Sequence, residues 1–157
     1  MVASLLSGHF TERNSPMHAA ELRSRFEAGE RDFCGADLRG ADLRGAFLVK
    51  ANLRGASLDG ANLRWANLTD ASLSQAVLAG ADLFGAILAR TDLRGDDLSG
   101  AVLSWADLEG ADLHRADLRR ANLYGAFLRA ADLRGADLAG AVLTEADLRE
   151  ASGVEQP

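Results

Sequence analysis

The chain has few of the residues that cross-link, kink or carry metal chemistry. Its 157 residues include one cysteine, two prolines and three histidines. Cys34 has no partner for an internal disulfide, which favours a reducing compartment and predicts a cytoplasmic location. His9, His18 and His114 lie far apart and show no ligand spacing. We therefore expect neither a metal ion nor another cofactor.

Long apolar runs and a cluster of basic residues are also missing. No apolar run reaches the roughly 18 residues that suggest a transmembrane helix, and the first residues lack the features of a signal peptide. The net charge is −6. Without a basic cluster the surface is unsuited to direct nucleic-acid binding. We expect no membrane or nucleic-acid partner.

Most of the chain is occupied by a five-residue repeat. Leucine recurs at every fifth residue from Leu38 to Leu148, and Phe33 lies one step earlier in the same register. The unit reads Ala-(Asp/Asn)-Leu-X-Gly, as in residues 36–40. A short fixed period is typical of a solenoid, in which each unit contacts its neighbours and stacking creates the core.

The period also predicts the course of the backbone. Ala and Leu are two residues apart, so a short strand places both on one face and points the residue between them outward. The fifth residue must turn the chain, and glycine, which tolerates positive φ, is the commonest residue there. Each unit is therefore predicted to be a very short strand and a corner, with Ala and Leu facing inward.

The spacing of bulky outward residues gives the number of units per coil. Trp65 and Trp105 are 40 residues apart, and Phe47, Ile87 and Phe127 repeat at the same distance. Coils of 15 or 25 residues would scatter these side chains, whereas a coil of 20 aligns them. We predict an all-β, quadrilateral parallel β-helix of about six four-unit coils.

The repeated A(D/N)LXX pattern resembles the pentapeptide-repeat family. The resemblance implies a right-handed β-helix with the central Leu and the preceding Ala stacked inside. Some members of the family mimic B-form DNA, bind DNA gyrase and protect it from quinolones. This implies an alternative function, a DNA-mimicking binder of gyrase or another topoisomerase. The balance of Asp with Arg and the absence of a loop insertion within the repeats argue against it.

The two ends differ in character. We predict a disordered segment over residues 1–15, a capping helix over 16–29, the β-helix over 30–150 and a tail over 151–157. Ser15 and Pro16 form an N-cap signal, and Gly29 is a stop signal. Leu22 and Phe26 lie at helical spacing and are expected to cover Phe33 in the first coil, although a partner-binding helix is the alternative.

The last coil has no segment comparable to the N-terminal helix in this sequence. An uncovered strand edge can pair with another copy, which predicts a homodimer through the C-terminal coil. The alternative is a charged terminal coil that resists pairing, since Glu145, Asp147 and Glu150 lie there.

Seven bulky side chains are predicted to project from one arc of the coil, and we call this set the aromatic corner. It is either a self-packed ladder that stiffens the rod or a docking surface for a protein partner or a second copy. No GxSxG, GxxxxGK[ST] or GxGxxG motif is present, so we predict a non-catalytic interaction scaffold rather than an enzyme. The members are Phe47, Trp65, Phe84, Ile87, Trp105, Tyr124 and Phe127.

Asp96 breaks the inward pattern, because it occupies a position where the repeat places alanine. A buried carboxyl group requires hydrogen bonds or protonation. We expect either a local kink or hydrogen bonds from nearby backbone N–H groups. A hinge or a recognition notch is the functional alternative.

Overall fold

The fold is a stack of square coils preceded by one short helix. The computed structural model describes residues 16–154. The predicted disordered segment 1–15 and the last three residues of the predicted tail lie outside this range. Helix α1 spans Ala19–Glu27. The described β structure consists of parallel bridges, each joining a residue to one 20 positions later, from Asp32–Asn52 to Asp132–Ser152. The coil therefore contains 20 residues, or four units, as predicted.

Each unit follows the predicted inward and outward alternation. In the unit that contains Leu63, Ala61 and Leu63 are fully buried. Asn62 lies between them, and its N–H donates to Ala41 O in the previous coil at 2.9 Å. The Leu63 N–H donates to Asp82 O in the next coil at 2.7 Å. Alternate residues of the unit therefore bond to the previous coil and to the next coil, and the apolar side chains remain inside.

Every corner has the same left-handed conformation, whichever residue occupies it. Gly60 and Gly80 have φ of 60° and 63°, and Trp65 and Arg90 have φ of 59° and 56°. This conformation favours glycine, so non-glycine residues are strained here. Inter-coil hydrogen bonds help to hold it, since the Trp65 N–H donates to Phe84 O at 3.0 Å.

The outward Asp or Asn also stabilises its corner. Its side-chain oxygen accepts the backbone N–H of the residue two positions later, as in Asn67 with Thr69 at 3.0 Å and Asp117 with Arg119 at 3.0 Å. This arrangement is an Asx-turn. It explains the preference of the repeat for Asp and Asn at this position.

Helix α1 begins later than the sequence predicted. The N-cap is His18, without a side-chain capping bond, rather than Ser15. Pro16 and Met17 are non-helical because the Met17 N–H donates to Asp37 O in the first coil at 2.6 Å. Gly29 follows the helix with φ of 97°, in agreement with the predicted stop.

Helix α1 packs on the first coil. Leu22 is fully buried and Phe26 is 6% exposed. The Phe26 ring lies 6.4 Å from the Phe33 ring in a stacked orientation, and 6.4 Å from the Phe47 ring edge-on. No helix in the described part of the chain is long and apolar enough to cross a membrane.

The core is less well covered at the other end. Leu63 and Leu103 in the middle of the rod are fully buried, whereas Leu138, Leu143 and Leu148 in the last coil are only partly buried. Within residues 16–154, the middle leucines have a coil on both sides, and those of the last coil have a complete coil on one side only.

Candidate functional site

The five exposed members of the aromatic corner occupy two neighbouring columns of the rod, and Phe84 and Tyr124 lie one residue before the second of them. In one column, parallel bridges connect Phe47, Asn67, Ile87, Asp107 and Phe127 in consecutive coils. The other column lies two residues earlier in each coil and contains the glycines and tryptophans of the corner. It runs through Gly45, Trp65, Gly85, Trp105 and Gly125.

Most of the exposed large apolar side chains of the described chain lie in the aromatic corner. Six large hydrophobic side chains are exposed between residues 16 and 154, and five of them belong to the corner. The sixth is Val142, which lies in the last coil in a different column, bridged to Asn122. The exposed fractions in the corner are Phe47 64%, Trp65 60%, Phe127 47%, Trp105 44% and Ile87 38%.

Both indoles lie flat against a glycine in the following coil. A Cβ atom added at Gly85 would overlap the six-membered ring of Trp65. One added at Gly125 would lie 2.8 Å from Trp105 Cε3. Gly45, in the coil before Trp65, has no such neighbour. The absence of a side chain at Gly85 and Gly125 therefore makes room for the rings and fixes their direction along the rod.

A second set of contacts holds each indole from the side. Phe84 meets Trp65 edge-on with ring centroids 5.2 Å apart, and Tyr124 meets Trp105 in the same way at 5.6 Å. The Arg64 guanidinium lies over the Phe84 ring, 4.5 Å from its centroid. A hydrogen bond to Glu145 raises the pKa of the Tyr124 hydroxyl. The exposed rings are therefore held in place by their neighbours.

Asp96 lies in the interior, in the same inward column as Ala76. Its residue exposure is 1%. Oδ1 accepts the Ala76 N–H at 3.1 Å, whereas Oδ2 is buried and has no hydrogen-bond partner. Burial raises the pKa of this carboxyl to about 8, although the Ala76 N–H opposes the shift. The backbone keeps its register, since Asp97 remains bridged to Val77, so a local kink is not what accommodates the carboxyl group.

Comparison with known families assigns the repeat. The model described as pentapeptide repeats matches eight copies over residues 32–70, 61–95, 97–135 and 128–152. The chain belongs to the pentapeptide-repeat family. Its fold is the right-handed β-helix of that family, as the resemblance implied. No curated protein matches the chain at a significant level.

Solved structures similar to this pentapeptide-repeat protein share its fold. The pentapeptide-repeat protein Rfr23 from the cyanobacterium Cyanothece 51142 is 40% identical over 57% of this chain and 62% of that chain, with a TM-score of 0.55. A pentapeptide-repeat protein of the Arabidopsis thaliana thylakoid lumen is 31% identical over 70% and 66%, with a TM-score of 0.49. The pentapeptide-repeat chain therefore spans just under two thirds of the length of each.

A third similar structure is QnrB1, a plasmid-mediated fluoroquinolone resistance protein. It is 21% identical over 80% of this pentapeptide-repeat chain and 71% of QnrB1, with a TM-score of 0.46. At this identity the likeness concerns the fold alone.

The predicted site residues form two groups, which meet where Phe26 packs edge-on against Phe47, and one isolated residue. The seven members of the aromatic corner share one edge of the rod, whereas Leu22, Phe26 and Phe33 form the contact between α1 and the first coil. Asp96 is inside and reaches neither group. No group of three or more His, Cys, Asp or Glu residues within residues 16–154 is arranged to hold a metal ion. Asn67 and Asp107, each two residues after a tryptophan, alternate with the bulky residues of the outer column.

Replacing Gly85 with alanine is expected to displace the Trp65 indole. The new methyl group would overlap the ring, so the ring must leave the corner and enter water. We expect a red shift of the tryptophan fluorescence and a loss of about 1–3 kcal/mol of stability. The control is Gly80→Ala, because Gly80 has a similar φ of 63° and nothing within 4 Å of the added methyl group. Equal effects of the two substitutions would mean that backbone strain alone, and not the indole contact, is responsible.

Proposed function

We propose that this pentapeptide-repeat protein is a non-catalytic interaction module that docks a protein surface against its aromatic corner. The supporting observation is the collection of five exposed apolar side chains on one edge of the rod. Contiguous apolar patches on soluble proteins usually mark interaction sites, and Trp and Tyr are frequent anchors in them.

The rigidity of the corner supports the proposal. Trp65 and Trp105 are held by a glycine of the next coil on one side and by an aromatic ring on another. Side chains that are ordered before binding lose less conformational entropy when a partner arrives. The ladder and the docking surface are therefore compatible, and the ladder contacts prepare the rings for docking.

The charge arrangement gives less support to a DNA mimic. Many outward aspartates are paired with the arginine two positions later, as in Asp37 with Arg39 at 2.6 Å and Asp132 with Arg134 at 2.6 Å. These arginines lower the pKa of their carboxyl partners and also cancel their charge. A surface that imitates the DNA backbone requires an extended row of unpaired negative charge. We therefore keep gyrase binding as the alternative.

Two further features are part of the proposal. Members of this family are generally structural or interaction proteins, and we propose no catalytic activity for this chain. We also propose a cytoplasmic location, because the single Cys34 is exposed and unpaired, as is usual for thiols in a reducing compartment.

Removing both indoles tests the docking proposal. The Trp65→Ala/Trp105→Ala variant should fold, because both side chains are exposed, and should lose at least tenfold in the capture of protein partners, which mass spectrometry would identify. Val142→Ala is the matched control, since Val142 is 44% exposed but lies in a different column of the rod, bridged to Asn122. Partner capture that survives the double substitution would refute docking at the corner. Gyrase binding, the alternative function, is tested in parallel with a DNA supercoiling assay. Inhibition of gyrase by the wild-type protein would support it.

A further inference from the structure

The backbone positions of the five exposed corner residues are symmetric about the coil that contains Ile87. In the outer column, Phe47 and Phe127 lie two coils below and two coils above Ile87. In the glycine and tryptophan column, Trp65 and Trp105 lie one coil below and one coil above Gly85. Nothing in a five-residue repeat requires this order to read the same in both directions along the rod.

A surface with this symmetry is suited to a copy of itself. In a two-fold contact the same patch is used on both molecules, and each residue meets the residue at the mirrored level. We propose that the occupant of the aromatic corner is a second copy of this chain, lying side by side and antiparallel, with the two-fold axis at Ile87. This inference rests on the proposed docking function and names the partner.

The axis brings side chains of matching chemistry together. Ile87 meets Ile87 of the second copy, and Phe47 faces Phe127 of the second copy. Both indoles extend toward the following coil, so the Trp65 ring lies at the level of the axis and meets the Trp65 ring of the second copy across the neighbouring column. Aromatic pairs of this kind stabilise a contact beyond the effect of the apolar area that they bury. The apolar positions of the corner therefore coincide with apolar positions of the second copy.

The polar positions of the corner are complementary as well. Asn67 lies one coil below the axis level and Asp107 lies one coil above it. Asn67 of each copy therefore faces Asp107 of the other copy. The Asn67 oxygen already accepts the Thr69 N–H at 3.0 Å and the Thr69 hydroxyl at 2.7 Å. Its amide NH₂ has no hydrogen-bond partner among residues 16–154 and is free to donate.

Asp107 provides the acceptor for this donor. One carboxylate oxygen accepts the Glu109 N–H at 3.0 Å. Unlike Asp37 or Asp132, Asp107 forms no salt bridge with a described residue. The other oxygen can therefore accept the amide of Asn67 from the second copy, and symmetry produces this hydrogen bond twice. A hydrogen bond to a charged group is stronger than one between neutral groups.

Like charges do not oppose the contact at its centre. Arg90 is the basic residue at the axis level on this face, and it lies at the opposite corner of the face from the tryptophan column. Its guanidinium is bound to Asp70 in the coil below, with Nε 2.8 Å from Oδ1. The charge of Arg90 is therefore balanced within its own molecule.

The size of the patch sets the expected strength of the dimer. The five exposed corner side chains present on the order of 500 Å² in each copy, given that a buried aromatic side chain covers about 150–250 Å². Two copies would bury about 1,000 Å² through these residues, which is near the lower limit for a specific interface. We expect a dimer that forms at micromolar concentration.

Sedimentation of the full chain over a range of micromolar concentrations tests the dimer. The wild type should dimerise, and Ile87→Lys should weaken association at least tenfold, because it places two cations on the axis. Val142→Lys is the control, since Val142 is similarly exposed outside the corner. A wild type that remains monomeric overturns the proposal. So does a dimer that survives Ile87→Lys but dissociates with Val142→Lys, which would locate the contact at the C-terminal coil.

Chemical cross-linking tests the antiparallel geometry. In a Cys34→Ser background, a short bis-maleimide that spans about 10 Å, the usual spacing of two packed sheets, should join Ile87→Cys to itself. Phe47→Cys and Phe127→Cys should each remain uncross-linked when alone and should join when mixed. Self-cross-linking of Phe47→Cys would indicate a parallel contact and overturn the proposed axis.

The dimer and the docking function can fail independently. A monomeric wild type that captures a different protein, and that loses it with Trp65→Ala/Trp105→Ala, overturns the second copy as occupant but retains the docking function. If the double variant retains both the dimer and the captured partner, then the second copy as occupant and the docking function are both overturned.

Discussion

Replacing Asp96 with alanine is expected to stabilise the protein, and the gain should grow as the pH rises. Removing a buried side chain from a packed core normally destabilises. Here the substitution restores the residue of the repeat and removes a buried carboxyl oxygen that has no hydrogen-bond partner. We expect a gain of about 2–4 kcal/mol at pH 8, because a pKa raised by about four units corresponds to about 5–6 kcal/mol, and the lost packing and the lost Ala76 hydrogen bond offset part of it.

The direction of the pH dependence follows from the raised pKa of Asp96. In the unfolded chain this carboxyl group ionises near pH 4. In the folded protein its pKa is about 8, so the folded state holds a proton that the unfolded state releases. The free energy of unfolding therefore falls as the pH rises from about 4 to 8, and it levels off above that range. Asp96→Ala and Asp96→Asn should both remove this slope.

Thr91 provides a matched control for the Asp96 prediction. It also replaces an inward alanine and is fully buried, but its hydroxyl donates to Leu68 O at 2.9 Å. Thr91→Ala should therefore yield little or no gain and no change in the pH dependence. The measurement is urea unfolding at several values between pH 5 and 9, where the outward Asp–Arg pairs stay ionised. If the Asp96 variants show the same slope as the wild type, then Asp96 is ionised in the fold and its second oxygen has a partner such as water.

The fold could be predicted because a solenoid depends on spacing that is visible in the sequence. The 40-residue interval between Trp65 and Trp105 predicts the four-unit coil without knowledge of any contact. The start of α1 could not be found in this way, because it depends on the hydrogen bond between Met17 and Asp37, two segments that meet only after folding. The Ser15-Pro16 signal is local, and the contact with the first coil overrides it.

The site was only partly predictable for the same reason. The sequence places the rings on one edge, but it does not decide whether the Trp65 indole turns toward Gly45 or Gly85, since both neighbours are glycine. The structure shows that it turns toward Gly85. The free amide of Asn67 is also invisible in the sequence, because it results from the two bonds that Thr69 makes to the oxygen. The direction of an indole and the presence of an unused hydrogen-bond donor depend on side-chain packing rather than on the period of the repeat.

Shortening a leucine in the middle of the rod is expected to cause the largest loss of stability. Leu83 is fully buried and lies between coils that are joined by hydrogen bonds of 2.7 Å, from Leu63 N–H to Asp82 O and from Leu83 N–H to Val102 O. These bonds fix the spacing of the coils, so the core cannot collapse into the space left by Leu83→Ala. We expect a loss of about 3–5 kcal/mol, in the upper part of the range for such substitutions.

Leu143→Ala makes the same chemical change in the last coil. Comparing it with Leu83→Ala shows how much of the loss depends on the position in the rod. Leu143 faces the same core in the last coil but is only partly buried, so we expect a loss of about 1–2 kcal/mol. Urea unfolding of both variants gives the two values, provided that the slope of each transition matches that of the wild type, since a solenoid can also unfold from one end. Equal losses would mean that Leu143 is as well covered in solution as Leu83. In a dilute sample that result would require a cover over the last coil. A loss that increases with protein concentration would identify that cover as another copy of the chain, because association stabilises by mass action.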